Sequence, residues 1–182
     1  MAASAGEARV GDAWRRLARL RVPLGFAAGV LVLWLAQPTW GLLALGTAIA
    51  LAGEGVRVWA AGHLEKSREV TRSGPYRWTR HPLYVGSALM AVGAAVAGGS
   101  AMAAAAIGLY VGVTMTAAIR TEEAFLREKF GAEYDEYCRG ASRAPDRPFS
   151  LERAWRNREY RAILGMGTFF AILALKVLLA RG

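Results

Sequence analysis

Cysteine and histidine are almost missing from this chain of 182 residues: it has Cys138 alone, and two histidines, His63 and His81. A single cysteine excludes an intrachain disulfide. Two histidines with no Cys–His or His–Glu cluster around them leave no ligand set for zinc, so no metal is expected. Cys138 sits in a charged segment and reads as incidental, not as a catalytic thiol. Charge is also absent from long stretches of the chain. The apolar residues form blocks, not a helical or alternating stripe, so lipid is the expected partner instead of a water-surrounded core.

The charge that is present is mostly positive, with 23 Lys+Arg against 14 Asp+Glu and a net charge of +9. A basic excess can serve nucleic acid. Here the basic residues flank apolar segments, which is the arrangement that faces anionic headgroups, and no nucleic-acid partner is expected. Arg15, Arg16, Arg19 and Arg21 precede the apolar run 22–36 and resemble the start of a signal peptide. Gln37-Pro38-Thr39-Trp40 offers no small-residue cleavage site, and a second apolar segment follows at once. The run is therefore expected to stay as a first helix.

A spanning helix needs about 20 apolar residues at 1.5 Å each. That length predicts helices near 20–37, 40–61, 83–98, 101–119 and 162–180. Pro38 ends the first. Trp40 and Trp59 place the ends of the second at the interface. Gly98-Gly99-Ser100 separates the third from the fourth, and the Ala and Gly residues of these two predict a closely packed hairpin. Lys176 near the end of the fifth can snorkel. The segments 37–39 and 98–100 carry no charge, whereas 1–21, 62–82 and 120–161 hold five, five and ten Lys+Arg. The positive-inside rule puts those three in the cytoplasm and the C-terminus outside. The expectation is one all-α, polytopic integral membrane domain over 1–182. It has a basic cytoplasmic N-terminus (1–21), four transmembrane helices (20–119), a polar cytoplasmic segment with short amphipathic helices (120–161) and a fifth transmembrane helix (162–180).

Three features could carry chemistry. The first is Gly74-Pro75-Tyr76-Arg77-Trp78-Thr79-Arg80-His81-Pro82-Leu83-Tyr84-Val85-Gly86. Pro82 suits the first position of a helix, where its missing N–H costs nothing. Arg80 and His81 then stand at a helix N-terminus, whose N–H groups favour an anion. Membrane anchoring explains Arg77 and Trp78 well, but the compact Arg-His-Pro with Tyr84 and Gly86 less well. The second is Glu122-Glu123, at the same membrane face if 83–119 is a hairpin. A bland reading makes Thr121 the N-cap of a new helix with the glutamates in its first turn. The third is Glu54 and Arg57, three apart on one helical face and read first as a structural pair.

Arg80-His81-Pro82-x-Tyr84-x-Gly86, preceded by Gly74-Pro75-Tyr76 and followed by Glu122-Glu123 and Phe130-Gly131-x-Glu133-Tyr134-x-x-Tyr137, resembles the isoprenylcysteine carboxyl methyltransferase family. It is similar also to the membrane phospholipid methyltransferases. The likeness covers about residues 54–139. It implies an S-adenosylmethionine-dependent methyltransferase embedded in a membrane, with the cofactor open to the cytoplasm and a lipophilic acceptor entering from the bilayer. It implies that Arg80, His81, Pro82, Tyr84, Gly86, Glu122 and Glu123, with Tyr76 beside them, hold the cofactor. His81 is alternatively a base for an amine or thiol acceptor. A carboxylate acceptor needs only an arginine to orient it, for which Arg120 and Arg127 are the candidates. The acceptor's identity does not follow from these residues. A membrane reductase of the sterol-reductase type and a non-catalytic membrane scaffold remain as alternatives.

Overall fold

The computed structural model describes residues 23–140 and 147–180. Among them all regular structure is helical. The elements are α1 (Pro23–Leu35), α2 (Trp40–Ala61), a 3-10 turn (Gly74–Arg77), α3 (Pro82–Gly98), α4 (Ala101–Phe130), α5 (Ala132–Cys138), α6 (Leu151–Arg156) and α7 (Tyr160–Leu179). Three of these, α2, α4 and α7, are long and apolar enough to cross a bilayer, while α1 and α3 are apolar but shorter. Helix length alone therefore does not establish five crossings. The basic segment 1–21 lies outside the described residues.

The outward faces are apolar. Phe26, Trp34 and Leu109 are 74%, 77% and 72% exposed. Water-surrounded monomers rarely display contiguous apolar surface on this scale, and lipid removes the cost. The buried core is correspondingly slight. Ala36, Leu43, Ala97 and Leu173 form one cluster, with Leu33, Phe169, Phe170 and Ala174 packed on it.

The closest helix pair is α2 with α3. Gly46 and Gly53 on α2, and Gly86 and Gly93 on α3, repeat after two helical turns and so share one face of each helix. A Cβ at Gly53 would stand 2.7 Å from the Gly86 carbonyl oxygen, and one at Gly86 would stand 2.6 Å from that of Gly53. Gly46 and Gly93 face each other in the same way. Small residues let two backbones touch where no hydrophobic effect drives them together. The small residues of 83–119 predict that close approach between α3 and α4. The structure puts it between α2 and α3 instead, and Gly108 and Gly112 of α4 meet nothing within 4 Å.

The turn between α3 and α4 follows the expected break. Gly99 adopts φ 62°, in the left-handed region, and the Ser100 hydroxyl caps α4 by accepting from the Ala103 N–H at 3.4 Å. The Gln37 N–H donates to the Gly98 carbonyl at 2.7 Å, holding the α1–α2 connection against this turn.

Beyond residue 120 the expected helix start at Thr121 does not occur. α4 runs unbroken for 30 residues. The Thr121 hydroxyl donates to the Ala117 carbonyl at 2.8 Å, so it serves the helix interior instead of capping a new one. The break comes at Gly131, with φ 47°, where α5 begins. Thirty residues extend about 45 Å, against a hydrocarbon core of about 30 Å. The end that carries Glu122 and Glu123 thus outruns the apolar layer.

At the other end of the bundle Lys176 does not snorkel. Its ammonium donates to the Leu33 and Trp34 carbonyls at 2.8 and 3.2 Å and caps α1. At the polar end, Asn157 caps α2 by donating to the Ala61 carbonyl and ties down the following loop by donating to that of Leu64, at 2.9 Å each. Arg153 and Arg156 each reach one Glu65 oxygen at 3.0 Å. This clamp joins the segment before α7 to the loop after α2.

Candidate functional site

The polar side chains converge on a cavity of about 580 Å³ at the polar end of the bundle. Its wall draws on α2 (Arg57), the loop after it (Val70, Thr71, Tyr76), the start of α3 (Arg80–Tyr84), the extension of α4 (Thr121, Glu122, Phe125), α5 (Tyr134, Tyr137) and the approach to α7 (Asn157, Glu159). Pro82 is the first residue of α3 and His81 its N-cap, as the sequence predicts. Tyr84 lies within the first turn.

Two hydrogen bonds join α3 to α4. The Tyr84 hydroxyl donates to Glu122 Oε2 at 2.8 Å, and His81 Nε2 meets Glu123 Oε1 at 3.0 Å. Facing a carboxylate, Nε2 is the nitrogen that carries the proton. Neighbours on an α-helix point about 100° apart. Glu122 therefore faces the cavity, while Glu123 turns to His81 and to Arg80, which is 3.7 Å away. Arg80 also donates to the Cys138 sulfur at 3.4 Å. That bond, assisted by the Glu123 charge, holds the guanidinium pKa above its ordinary value.

Aromatic rings close the cavity from the α5 side. The Tyr137 hydroxyl donates to the Tyr76 carbonyl at 2.7 Å. The Tyr134 hydroxyl is buried without a hydrogen-bond partner. Burial pushes the Tyr137 phenol up to about 12. It drives Tyr76 and Tyr134 higher still, helped by the Glu122 charge at Tyr76 and by Cys138 at Tyr134. All three remain neutral donors at any working pH.

The expected site residues divide into groups. Tyr76, Arg80, His81, Pro82, Tyr84 and Glu122 line the cavity, and Glu123 supports it from behind. Gly86 does not face it. That glycine lies against Gly53 and Arg57 on α2, so what its missing side chain allows is the helix crossing. Arg120 and Arg127 are exposed and line no part of the wall. Arg127 instead reaches Glu123 at 4.0 Å, Asp135 at 3.7 Å and the Tyr134 ring at 5.8 Å. Besides Arg80, the arginine that faces the cavity is Arg57. The expected pair with Glu54 exists, at 3.7 Å, but the closer partner is Glu159, whose two oxygens take one Arg57 nitrogen at 3.0 and 2.9 Å. Glu159 lies 102 positions away from Arg57 in the chain. No local pattern marks it, and only its place inside an otherwise basic approach to a hydrophobic helix could have drawn attention.

The fold defines a helical membrane protein with a cavity at the polar end of its bundle. The chain belongs to the phospholipid methyltransferase family, whose pattern it matches over residues 26–133. It is 33% identical over 108 residues to the nickel-cobalt-cadmium resistance protein NccN of Alcaligenes xylosoxydans xylosoxydans, a match covering 58% of this chain and 49% of that protein. It is 34% identical over 108 residues to the cobalt-zinc-cadmium resistance protein CzcN of Cupriavidus metallidurans, covering 58% and 48%. A probable protein-S-isoprenylcysteine O-methyltransferase of Oryza sativa subsp. indica is 32% identical over 111 residues, covering 54% and 58%. The chain thus spans about half the length of the relatives it matches. No solved structure matches it.

Proposed function

We propose that this protein transfers a methyl group from S-adenosylmethionine to a lipophilic acceptor drawn from the bilayer, an isoprenylcysteine carboxylate-like group or a lipid. In this reading it crosses the membrane five times, with the N-terminus and the cavity on the cytoplasmic side. The observation that carries the reading is the pairing of His81 with Glu123 and Tyr84 with Glu122 at one wall of the cavity, inside the stretch that matches the family.

The residues suit the cofactor. The volume falls in the range of small-molecule sites, about 300–1,000 Å³. The Tyr134 ring lines the wall, with its hydroxyl buried next to Cys138. Arg80, with the α3 N-terminus, would hold a carboxylate. Glu122 would take ribose hydroxyls or an ammonium group, and the rings of Tyr76 and Tyr84 would face a cation. Bound there, the cofactor supplies a methyl group already activated on sulfur. The protein's task is to align it with the acceptor and keep water away.

A thermal-shift measurement on purified protein in detergent tests the reading. S-adenosylhomocysteine should raise the melting temperature and a nicotinamide dinucleotide should not, since a ligand at about 100 times its Kd stabilises by about 2.7 kcal/mol. Stabilisation by the dinucleotide alone would point to reductase chemistry, and by neither to a scaffold. Incubating membranes with methyl-labelled donor would then reveal the acceptor.

A further inference from the structure

We propose that a second pocket, on the other side of the 3-10 turn, binds the headgroup of an acidic phospholipid. It is separate from the cavity described above and does not depend on the methyl-transfer reading.

This pocket encloses about 420 Å³. The turn Gly74–Arg77 contributes to both spaces. Tyr76 lines the first cavity, whereas Gly74, Arg77 and the following Trp78 line the second. The rest of the second lining comes from the end of α2, with Trp59 and then His63, and from Arg147 in the segment before α6.

The lining is built, not incidental. Four rings form a chain of contacts: Trp78 lies 5.4 Å from Trp59, Trp59 lies 6.4 Å from His63, and His63 lies 6.1 Å from Phe149. His63 is buried and anchors the array. Its Nδ1 is 2.9 Å from the Trp59 carbonyl, so that nitrogen carries the proton. Gly74 adopts φ 57°, and a Cβ on it would stand 2.6 Å from the His63 ring. Glycine is what lets the turn close on that ring. Trp78, at the outer end of the array, is 76% exposed.

Charge selects an anion. Arg77 and Arg147 both line the pocket, and no carboxylate does among the described residues. Glu69 takes one Arg147 nitrogen at 2.7 Å, but it lines the first cavity and not this one. The other terminal nitrogen of Arg147 donates to the His63 carbonyl at 3.4 Å. These two contacts fix the guanidinium at the pocket, and a guanidinium matches a phosphate in shape as well as in charge.

The rings select a lipid as the source of that anion. Trp59 stands two residues before the end of α2, a helix long and apolar enough to cross a bilayer. Indoles settle at the level of the headgroups, which is where lipid phosphates stand. A soluble anion gains nothing from Trp78 and Trp59, whereas a lipid can lay its glycerol and first methylenes against them. A zwitterionic headgroup would carry its ammonium into an arginine-lined space, and an acidic one brings no such opposing charge. Membrane anchoring accounts for an arginine or an indole taken singly; two guanidinium groups and a ring array around one pocket fit a bound headgroup.

The test uses the full chain in a neutral detergent. Short-chain phosphatidylglycerol, short-chain phosphatidylcholine and inorganic phosphate are added in separate arms. Phosphatidylglycerol should raise the melting temperature and shift the indole fluorescence, and the other two should not. Arg77→Gln should weaken the apparent affinity about fivefold, the scale of one basic residue at an anionic lipid surface. Trp78→Leu should remove most of the fluorescence shift, and its exposed side chain is not needed for folding. If Arg77→Gln fails to fold, Trp78→Leu decides. Arg161→Gln removes the same charge from outside both linings and should leave the response unchanged. An equal loss in that variant would reduce the site to general attraction and overturn the proposal. Equal stabilisation by phosphatidylcholine or by inorganic phosphate, no response to phosphatidylglycerol, or an unaltered response in Trp78→Leu would overturn it too.

Discussion

The two sides of the cavity are built in different ways. On one side α3 and the extension of α4 bring His81, Tyr84, Glu122 and Glu123 together through a short turn at Gly99. On the other, Arg57 and Glu159 meet across 102 positions, with Glu159 outside the stretch that matches the family. The first side is a compact unit of neighbouring helices, suited to one cofactor. The second joins α2 to the approach to α7. One side of the cavity is held by local architecture, and the other by a long-range tie.

Substitutions can break or sharpen that contrast. The largest effect should come from Gly86→Leu, since even a Cβ there meets α2 backbone at 2.6 Å. Both sides depend on that crossing, and a cost of about 3 kcal/mol or more is expected. Loss of the monodisperse peak in size-exclusion chromatography would report it; a folded, active variant would refute the seam. Next, Arg80→Ala and Glu123→Gln should weaken S-adenosylhomocysteine binding by at least about tenfold, or about 1.4 kcal/mol, with helical circular dichroism kept. Unchanged affinity in calorimetry would sink the cofactor-side assignment.

A smaller effect is expected from Asn157→Ala, which strips one cap from α2 and one hydrogen bond from the loop after it. The cost should be about 1–3 kcal/mol, seen as a lower melting temperature with cofactor affinity little altered. If affinity collapsed as well, the two sides would not be separable. The smallest effect is electrostatic. Burial raises the Glu65 carboxyl, but the charges of Arg156 and Arg153 outweigh it and leave the pKa below the ordinary 4.5. A lowered folded pKa means stability present above 4.5 and lost as pH falls through the folded value. The melting-temperature gap between wild type and Glu65→Gln should therefore be steady near neutrality and close on acidification. A gap independent of pH would rule out the ion pairs as its source.

Much of the helical frame was legible in the sequence because its signals are local. Thr39 and Trp40 mark the start of α2, Pro82 opens α3, Gly99 closes it, and Glu54 with Arg57 shows as a pair by spacing alone. The rest was hidden because tertiary contacts decide it. Nothing near Thr121 says whether its hydroxyl will cap a helix or return to Ala117. Gly86 stands beside an Arg-His-Pro motif and reads as part of it, yet its missing side chain answers to α2. Arg120 and Arg127 are basic residues beside the glutamates, but helical phase turns them outward. Glu159 is conspicuous only once Arg57 is seen to reach it.

The unbroken length of α4 carries a mechanical consequence. Glu122 and Glu123 ride on the same unbroken helix that is long and apolar enough to cross a bilayer. A long apolar helix answers a thinner or thicker bilayer by tilting. Pivoting at the Gly99 turn, such a tilt swings the far tip sideways, toward or away from His81 and Tyr84. Most of the helix is apolar and its polar tip stands at the cavity, so a tilt of the whole helix would be felt as a change in the gap between α3 and α4.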